Sequence, residues 1–363
     1  MHRARNSSLV VCFLAVLLAP TVASLFRFEP FAAIDEKRAM AKKPAMALGS
    51  GDISKNVPAA TQGWEKYFED NFGLRKFLIG SYRLLAVHLL KTSPNPAVVI
   101  GQSDGDRRWL FFDAKVSGDG LGFESILGKK SYTPSELAAI ATRLKQLTAF
   151  VQSKGAKFVI AVCPDKQTMY PEYLPADKRP APGTLSRLDQ FWAMAASFDG
   201  VPIVDLRIPL KQAKADQQLY YPSDTHWNWR AGWLAYEAIA RALEIQDPSR
   251  VVLPAAELQW QHKPARVGDL TILMGLPAIG RDHDWVPDLA KLGAKAGPKR
   301  GKLLAITDSY FVFNQPFFEL QFEKVDRRYV TRGVRDILLT TGLLDAEKPD
   351  VVLLQTLERY WTM

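Results

Sequence analysis

The chain has 363 residues, 47% of them apolar and 23% charged; it can bury a full hydrophobic core, which excludes disorder along its whole length. Its net charge of +9 comes from 47 basic and 38 acidic residues, scattered except for Lys291, Lys295, Lys299, Arg300 and Lys302. There is no basic stripe interleaved with aromatics, so nucleic-acid binding is excluded, and the mild positive field suits an anionic polymer or a solvated face.

Residues 1–24 carry Arg3 and Arg5 ahead of an apolar run from Leu9 to Leu18, then Pro20 and small residues near Ala23. This reads as an export signal, cleaved or kept as an anchor, and as too short and proline-broken for a bilayer span. Cys12 lies inside it, which leaves Cys163 as the one cysteine of the processed chain, with no internal disulfide. Residues 25–62 are rich in Ala, Lys, Gly and Pro without a period and read as a flexible linker, so one folded domain is expected over 63–363. Helical spacing begins near Trp64 and includes His88, expected as a packed or surface residue. Ala97–Ile100 and Trp109–Phe112 read as strands about a Gly/Asp turn.

Thr133-Pro134-Ser135-Glu136 forms a capping box with proline at the first helical position, and Leu137, Ile140, Ala141, Leu144, Leu147 and Val151 mark one apolar face of the helix it opens. Gly155 ends that helix, and a continuously apolar strand runs from Phe158 to Cys163. Further strands are expected at 201–206, 303–306 and 350–355, with a helix at 231–243. Helices alternating with strands apolar on both faces predict an α/β protein, a three-layer α/β/α domain with a mostly parallel sheet. Ligand sites in such sheets lie beyond the carboxyl ends of the strands, so Asp165, Lys166, Asp308, Ser309, Glu358 and Arg359 are expected on one rim.

The segments Asp224-Thr-His226-Trp227 and Asp308-Ser309 carry the candidate chemistry. A serine hydroxyl is a poor nucleophile until an imidazole takes its proton. Ser309, in a tight bend with backbone N–H groups nearby, is the candidate nucleophile, His226 its base, and Asp224 the acid that orients the ring. Blander readings stand beside these: Asp-Ser as a helix cap, Cys163 as an inert core residue, and Asp224-x-His226 as half of a metal site completed by His262, His283 or Asp284. Trp227 and Trp229 are either core or a sugar-stacking wall. Lys166 and Tyr170 either orient substrate or belong to an ordered Pro-rich turn.

The segments EDNFGLRKFLIGSY, GDRRWLFF, PDKQTMYPEYLP, DTHWNWRAGWLAYEAI, ITDSYF and LLQTLERYW, in that order between residues 64 and 361, resemble the periplasmic alginate O-acetylation proteins of the AlgJ and AlgX type, which carry an SGNH-hydrolase-like domain. The resemblance implies a permuted domain in which Ser309, His226 and Asp224 are catalytic. It implies acetyl transfer onto an acidic or neutral exopolysaccharide, without a cofactor or metal, in the periplasm. A membrane-bound acyltransferase would supply the acetyl group, and the N-terminal segment would tether the protein to the inner membrane. Lys166, Tyr170, Trp227, Asn228, Trp229 and Arg359 are the expected substrate-binding residues, Asn228 as a possible oxyanion donor. Thr307 stands where the family usually has glycine. The same triad would serve a secreted carbohydrate acetylesterase, and a polysaccharide-binding scaffold is the non-catalytic alternative.

Overall fold

Strands that alternate between two buried faces need cover on both, and the central sheet of this protein receives it. The computed structural model describes residues 2–26, 28, 30–31, 39–44, 53–105, 107–195, 198–330, 338–339 and 342–361. The chain forms two compact units, one of Met1–Pro94 with Met274–Leu276 and one of Asn95–Leu273 with Pro277–Met363.

In the first unit the apolar segment is one continuous helix, His2–Leu25, that contains Pro20. Its stretch Ser7–Leu25 is long and apolar enough to cross a membrane by length and composition, a property shared by signal sequences. Pro20 therefore does not break the run as expected; a proline removes a single amide donor, which a long helix tolerates. Helices Ile53–Asp70 and Arg75–His88 follow. The first of them starts inside the segment read as a linker, and both fall on the amino-terminal side of the unit boundary, not in one domain beginning at residue 63. Linker residues 27, 29, 32–38 and 45–52 lie outside the described residues. His88 is exposed at the end of its helix.

Among the described residues the second unit holds nine strands: β1 Val98–Asp104, β2 Arg107–Phe112, β3 Lys157–Cys163, β4 Ile203–Asp205, β5 Trp260–Val267, β6 Arg281–Pro287, β7 Lys302–Thr307, β8 Lys324–Tyr329 and β9 Val351–Leu357. Five form a wholly parallel sheet in the order β4-β3-β9-β7-β8. The pairs β1–β2 and β5–β6 are separate antiparallel hairpins. The expected strands β1 and β2 pair only with each other, and β8, with the polar sequence KVDRRY, is an unexpected strand that supplies one edge of the central sheet. An edge strand tolerates such polarity because one side and part of its face meet water.

Period-two alternation sorts the central side chains into two cores. Val159, Ala161, Cys163, Leu303, Ala305 and Leu353 join one cluster, and Phe158, Ile160, Val162, Leu304, Ile306 and Leu354 the other. Helix Trp229–Gln246 contributes Ala231, Ala235, Tyr236 and Ile239 to the first; helix Pro134–Ser153 contributes Ile140, Leu144, Leu147 and Val151 to the second. The latter helix starts as the sequence indicates. Thr133 Oγ1 accepts from the Glu136 amide at 3.2 Å, and Glu136 accepts from the Thr133 amide at 2.7 Å. Truncating any of these buried leucines to alanine leaves a cavity that costs about 2–5 kcal/mol.

Candidate active site

Parallel strands bring all their carboxyl ends to one rim, where the backbone must turn with its amides unsatisfied. At the end of β7, buried Asp308 resolves this. One of its carboxylate oxygens accepts from the Tyr310 amide at 2.9 Å, and the other from the Leu357 amide at 2.6 Å, pinning the turn to the end of β9. Burial pushes the Asp308 carboxyl up to about 6 against the pull of these donors. The chain then enters the short 3-10 turn Ser309–Phe313, which leaves the Ser309 side chain half-buried at the rim. Among the described residues, nothing accepts from the Ser309 amide.

The opposing loop, Leu219–Asn228, is held from three sides. Fully enclosed Lys166 donates from Nζ to the carbonyls of Tyr221, Pro222 and Asp224 at 3.1, 3.1 and 2.6 Å. Burial pulls its ammonium down to about 8. Buried Asp282, from β6, accepts from the Ser223 hydroxyl at 2.7 Å and its amide at 3.1 Å. Tyr310 donates its hydroxyl to the Thr225 carbonyl at 2.5 Å, and the Trp227 indole returns a bond to the Tyr310 carbonyl at 3.0 Å. These last two tie the loop to the serine turn. Gly268 lies so close to Ser223 that an added Cβ would fall 2.0 Å from the Ser223 carbonyl oxygen, so only glycine admits this packing.

The result is a hydrogen-bonded relay. Ser309 Oγ lies 2.8 Å from His226 Nε2, and His226 Nδ1 lies 2.6 Å from an Asp224 oxygen. The second Asp224 oxygen accepts from Arg266 at 2.9 Å and from the Asp269 amide at 3.1 Å. Asp224 is wholly buried. Desolvation alone would raise its carboxyl, but the His226 hydrogen bond and the charges of His226 and Arg266 outweigh it and hold the group well below the carboxylate range. It is an anion at every physiological pH. Asp224, His226 and Asp269 each place a donor atom within 4.8 Å of the others, yet Arg266 already supplies positive charge at this cluster.

A family profile described as "SGNH hydrolase-like domain, acetyltransferase AlgX" matches residues 104–310, a span that includes His226, Asp224 and Ser309. The chain belongs to this family. It is 28% identical over 248 residues to the probable alginate O-acetylase AlgJ of Pseudomonas putida, covering 67% of this chain and 57% of that one. It is 26% identical over 296 residues to the probable AlgJ of Azotobacter vinelandii, covering 80% and 66%. The chain spans about half the length of several curated relatives it matches, 51% for the Pseudomonas syringae protein. The solved O-acetyltransferase domain of Pseudomonas putida AlgJ aligns with a TM-score of 0.48 at 23% identity, over 74% of this chain and 93% of that one.

Of the residues expected beyond the strand ends, Asp165, Lys166, Asp308, Ser309, Glu358 and Arg359 follow β3, β7 and β9 at the carboxyl rim of the sheet. Arg359 ion-pairs with Asp165 at 2.6 Å, and Glu358 accepts from the Asp165 amide at 3.0 Å. Most of the expected substrate contacts have structural places instead. Lys166 is spent on three carbonyls, as above. Tyr170 is buried and stacked on Trp109 at 4.5 Å, its hydroxyl accepting from the Leu219 amide. Arg359 is committed to its buried ion pair.

Trp227 is fully buried, so it offers no face to a sugar. Asn228 caps helix Trp229–Gln246, its oxygen accepting from the Arg230 and Ala231 amides and one hydrogen of its amide donating to the Gln218 carbonyl at 2.7 Å, so the side chain is fixed as a helix cap. Trp229 is half-buried and packs edge-on against Phe313 at 5.3 Å. Trp227 and Asn228 thus lie near the site in sequence but serve to hold the loop and cap the helix. Thr307, in place of the usual glycine, is buried and accepts from Arg327 at 3.1 Å. Cys163 is buried at the end of β3, where burial raises its thiol and keeps it protonated.

Sequence reading missed Arg266, Asp269 and Asp282. They belong to the β5–β6 hairpin and the segment that follows β5, which showed no clear period because a bulge between Lys263 and Arg266 breaks the alternation. The basic cluster is likewise divided. Lys295 and Arg300 line a cleft of about 300 Å³ with Arg250 and Phe322 near the amino ends of β7 and β8, the opposite end of the sheet from Ser309.

Glu358 provides a test of the rim. Burial, reinforced by the Asp165 charge, pushes its carboxyl up to about 8 from an ordinary 4.5. The folded protein therefore holds a proton that the unfolded chain releases. Its stabilising contribution is full below about pH 4.5 and is lost as pH rises through about 8. Glu358→Gln preserves an acceptor for the Asp165 amide and the Thr168 hydroxyl while removing the titration. Thermal denaturation at pH 6 and pH 9 is expected to show a smaller loss of stability in the variant, which should exceed wild type at pH 9 by about 1–3 kcal/mol. Parallel pH dependences would contradict this account.

Proposed function

We propose that the protein is a polysaccharide O-acetyltransferase working through an acetyl-serine, in the periplasm, tethered by its N-terminal helix. The observation that carries this reading is the relay in which Ser309, His226 and Asp224 lie at 2.8 and 2.6 Å, within a family described as acetyltransferase. His226 Nε2 takes the Ser309 proton as Oγ attacks the acetyl carbonyl of the donor. The tetrahedral oxyanion is met by the Ser309 amide, which has no acceptor among the described residues. The carbonyl re-forms, the donor's leaving group departs with the proton from His226, and acetyl-Ser309 remains.

A sugar hydroxyl then gives its proton to His226 and attacks the acetyl-serine. Collapse passes the acetyl group to the sugar and returns the proton to Ser309. Asp224, anionic throughout, holds the ring with Nε2 toward the serine and stabilises the imidazolium formed in each half-reaction. The polymer is a carboxylated exopolysaccharide such as alginate, and a membrane-bound acyltransferase is the upstream source of acetyl groups.

Intact-protein and peptide mass spectrometry after exposure to a chromogenic acetyl ester should find one acetyl group on Ser309. Adding polysaccharide should discharge it onto the polymer faster than water does. An acetyl-enzyme that hydrolyses at the same rate with and without polymer would make the protein an esterase, and no modification of Ser309 would remove the catalytic reading.

A further inference from the structure

We propose that the outward face of the β5–β6 hairpin is a subsite for a carboxylate-bearing sugar residue of the acceptor, with its ring stacked on Trp285 and its carboxylate on Arg230. The proposal rests on the acceptor being a polysaccharide, as argued above.

The hairpin has two chemically distinct faces. His262 pairs with Trp285 and Trp260 with Pro287, so Trp260, His262, His283 and Trp285 share one face by alternation. The bulge between Lys263 and Arg266 sets Arg266 opposite Asp282, and Asp282 shares a face with Asp284. That inward face braces the active loop: Arg266 binds Asp224, Asp282 binds Ser223, and Asp284 accepts from the Tyr221 hydroxyl at 2.5 Å. On the other face Trp260 is half-buried and packs against the main core, while the remaining rings have no such task. His262 lies 5.0 Å from Trp285 and 5.4 Å from His283 between ring centroids, and His262, His283 and Trp285 are all exposed.

Arg230 completes the surface. Its guanidinium lies 5.1 Å from the centre of Trp285 and 6.0 Å from that of Trp260. Its Nε is buried without an acceptor among the described residues. A planar cation held against two indoles, with its fork uncommitted, matches a planar carboxylate. The exposed indole offers the flat apolar surface that the C–H face of a pyranose covers. The subsite adjoins the relay. Arg230 lies in the first turn of the helix whose Trp229 packs on Phe313, the last residue of the turn that Ser309 begins. It would grip a sugar neighbouring the one that is acetylated.

The test is calorimetric titration of the full-length Ser309→Ala protein in detergent, which cannot turn over, with a hexuronate oligomer and with a neutral cello-oligosaccharide of equal length. The uronate oligomer is expected to bind at least ~10-fold more tightly than the neutral one. Adding Arg230→Gln should remove that preference, Arg230→Lys should restore part of it, and Trp285→Ala should weaken both ligands about 5-fold or more. Trp285 is exposed, so its variant reports on binding even if a change at Arg230 disturbs the helix start. Equal affinity for the two oligomers, or unchanged affinities in both the Arg230→Gln and Trp285→Ala proteins, would overturn the subsite. Discriminating binding without any acetyl-Ser309 in the wild-type protein would sink the catalytic reading alone, whereas acetyl-Ser309 with no effect of either variant on binding would sink the subsite alone.

Discussion

Ser309→Ala is expected to lower acetyl transfer and acetyl-ester cleavage by about 10⁴-fold or more, because the variant has no atom that can carry the acetyl group. Ser309 is half-buried, and its side chain has one hydrogen bond among the described residues, to His226 at 2.8 Å. The change should therefore cost no more than about 1 kcal/mol of stability. Initial rates with a chromogenic acetyl ester, paired with a thermal melt of the same preparation, separate the two effects. A folded variant that keeps more than a few per cent of wild-type activity would show that the nucleophile lies elsewhere.

Asp224→Asn should be nearly as damaging to catalysis and more damaging to the fold. One carboxylate oxygen orients His226 at 2.6 Å, and the other accepts from Arg266 and the Asp269 amide. A neutral amide leaves the imidazolium without its counter-ion and permits the wrong ring tautomer, so a loss of about 10³–10⁴-fold in rate is expected. The amide also presents hydrogens where two donors now converge, which costs about 1–2 kcal/mol in the partly solvated surroundings of Arg266. The carboxyl of Asp224 is depressed in the folded protein, so its contribution to stability is present above the unfolded carboxylate range and is lost on acidification below it. The variant should accordingly show a shallower decline of stability toward acid pH than wild type. Rates close to wild type in Asp224→Asn would mean that Asp269, whose carboxylate lies 3.6 Å from His226 Nδ1, orients the ring instead.

Much of the architecture was readable because its signals are local. The capping box at Thr133, the two-faced strands at 158–163, 303–306 and 350–355, and the helix after Asn228 declare themselves within a few residues. The misplacements have equally physical causes. Strand β8 carries charges because it sits at an edge, and β5 hides its period behind a bulge. The early hairpin β1–β2 looks like sheet material, but no property of its residues states which sheet a strand joins. Pro20 reads as a breaker, yet the helix continues through it.

The candidate site divides along the same line. A serine after a buried strand and an acid two residues before a histidine are chain-local patterns, and they named Ser309, His226 and Asp224 without coordinates. Nothing local distinguishes a side chain that faces substrate from one that braces the loop behind it. Trp227, Asn228 and Lys166 stand beside Ser309, His226 or Asp224 in sequence or along the rim, and folding turned them inward. Arg266, Asp269 and Asp282 are more than forty residues from the groups they hold. Periodicity and short motifs record which surfaces the chain must bury, since that follows from each residue's own chemistry. Which buried donor meets which acceptor depends on contacts between distant segments, and these exist only once the chain has folded.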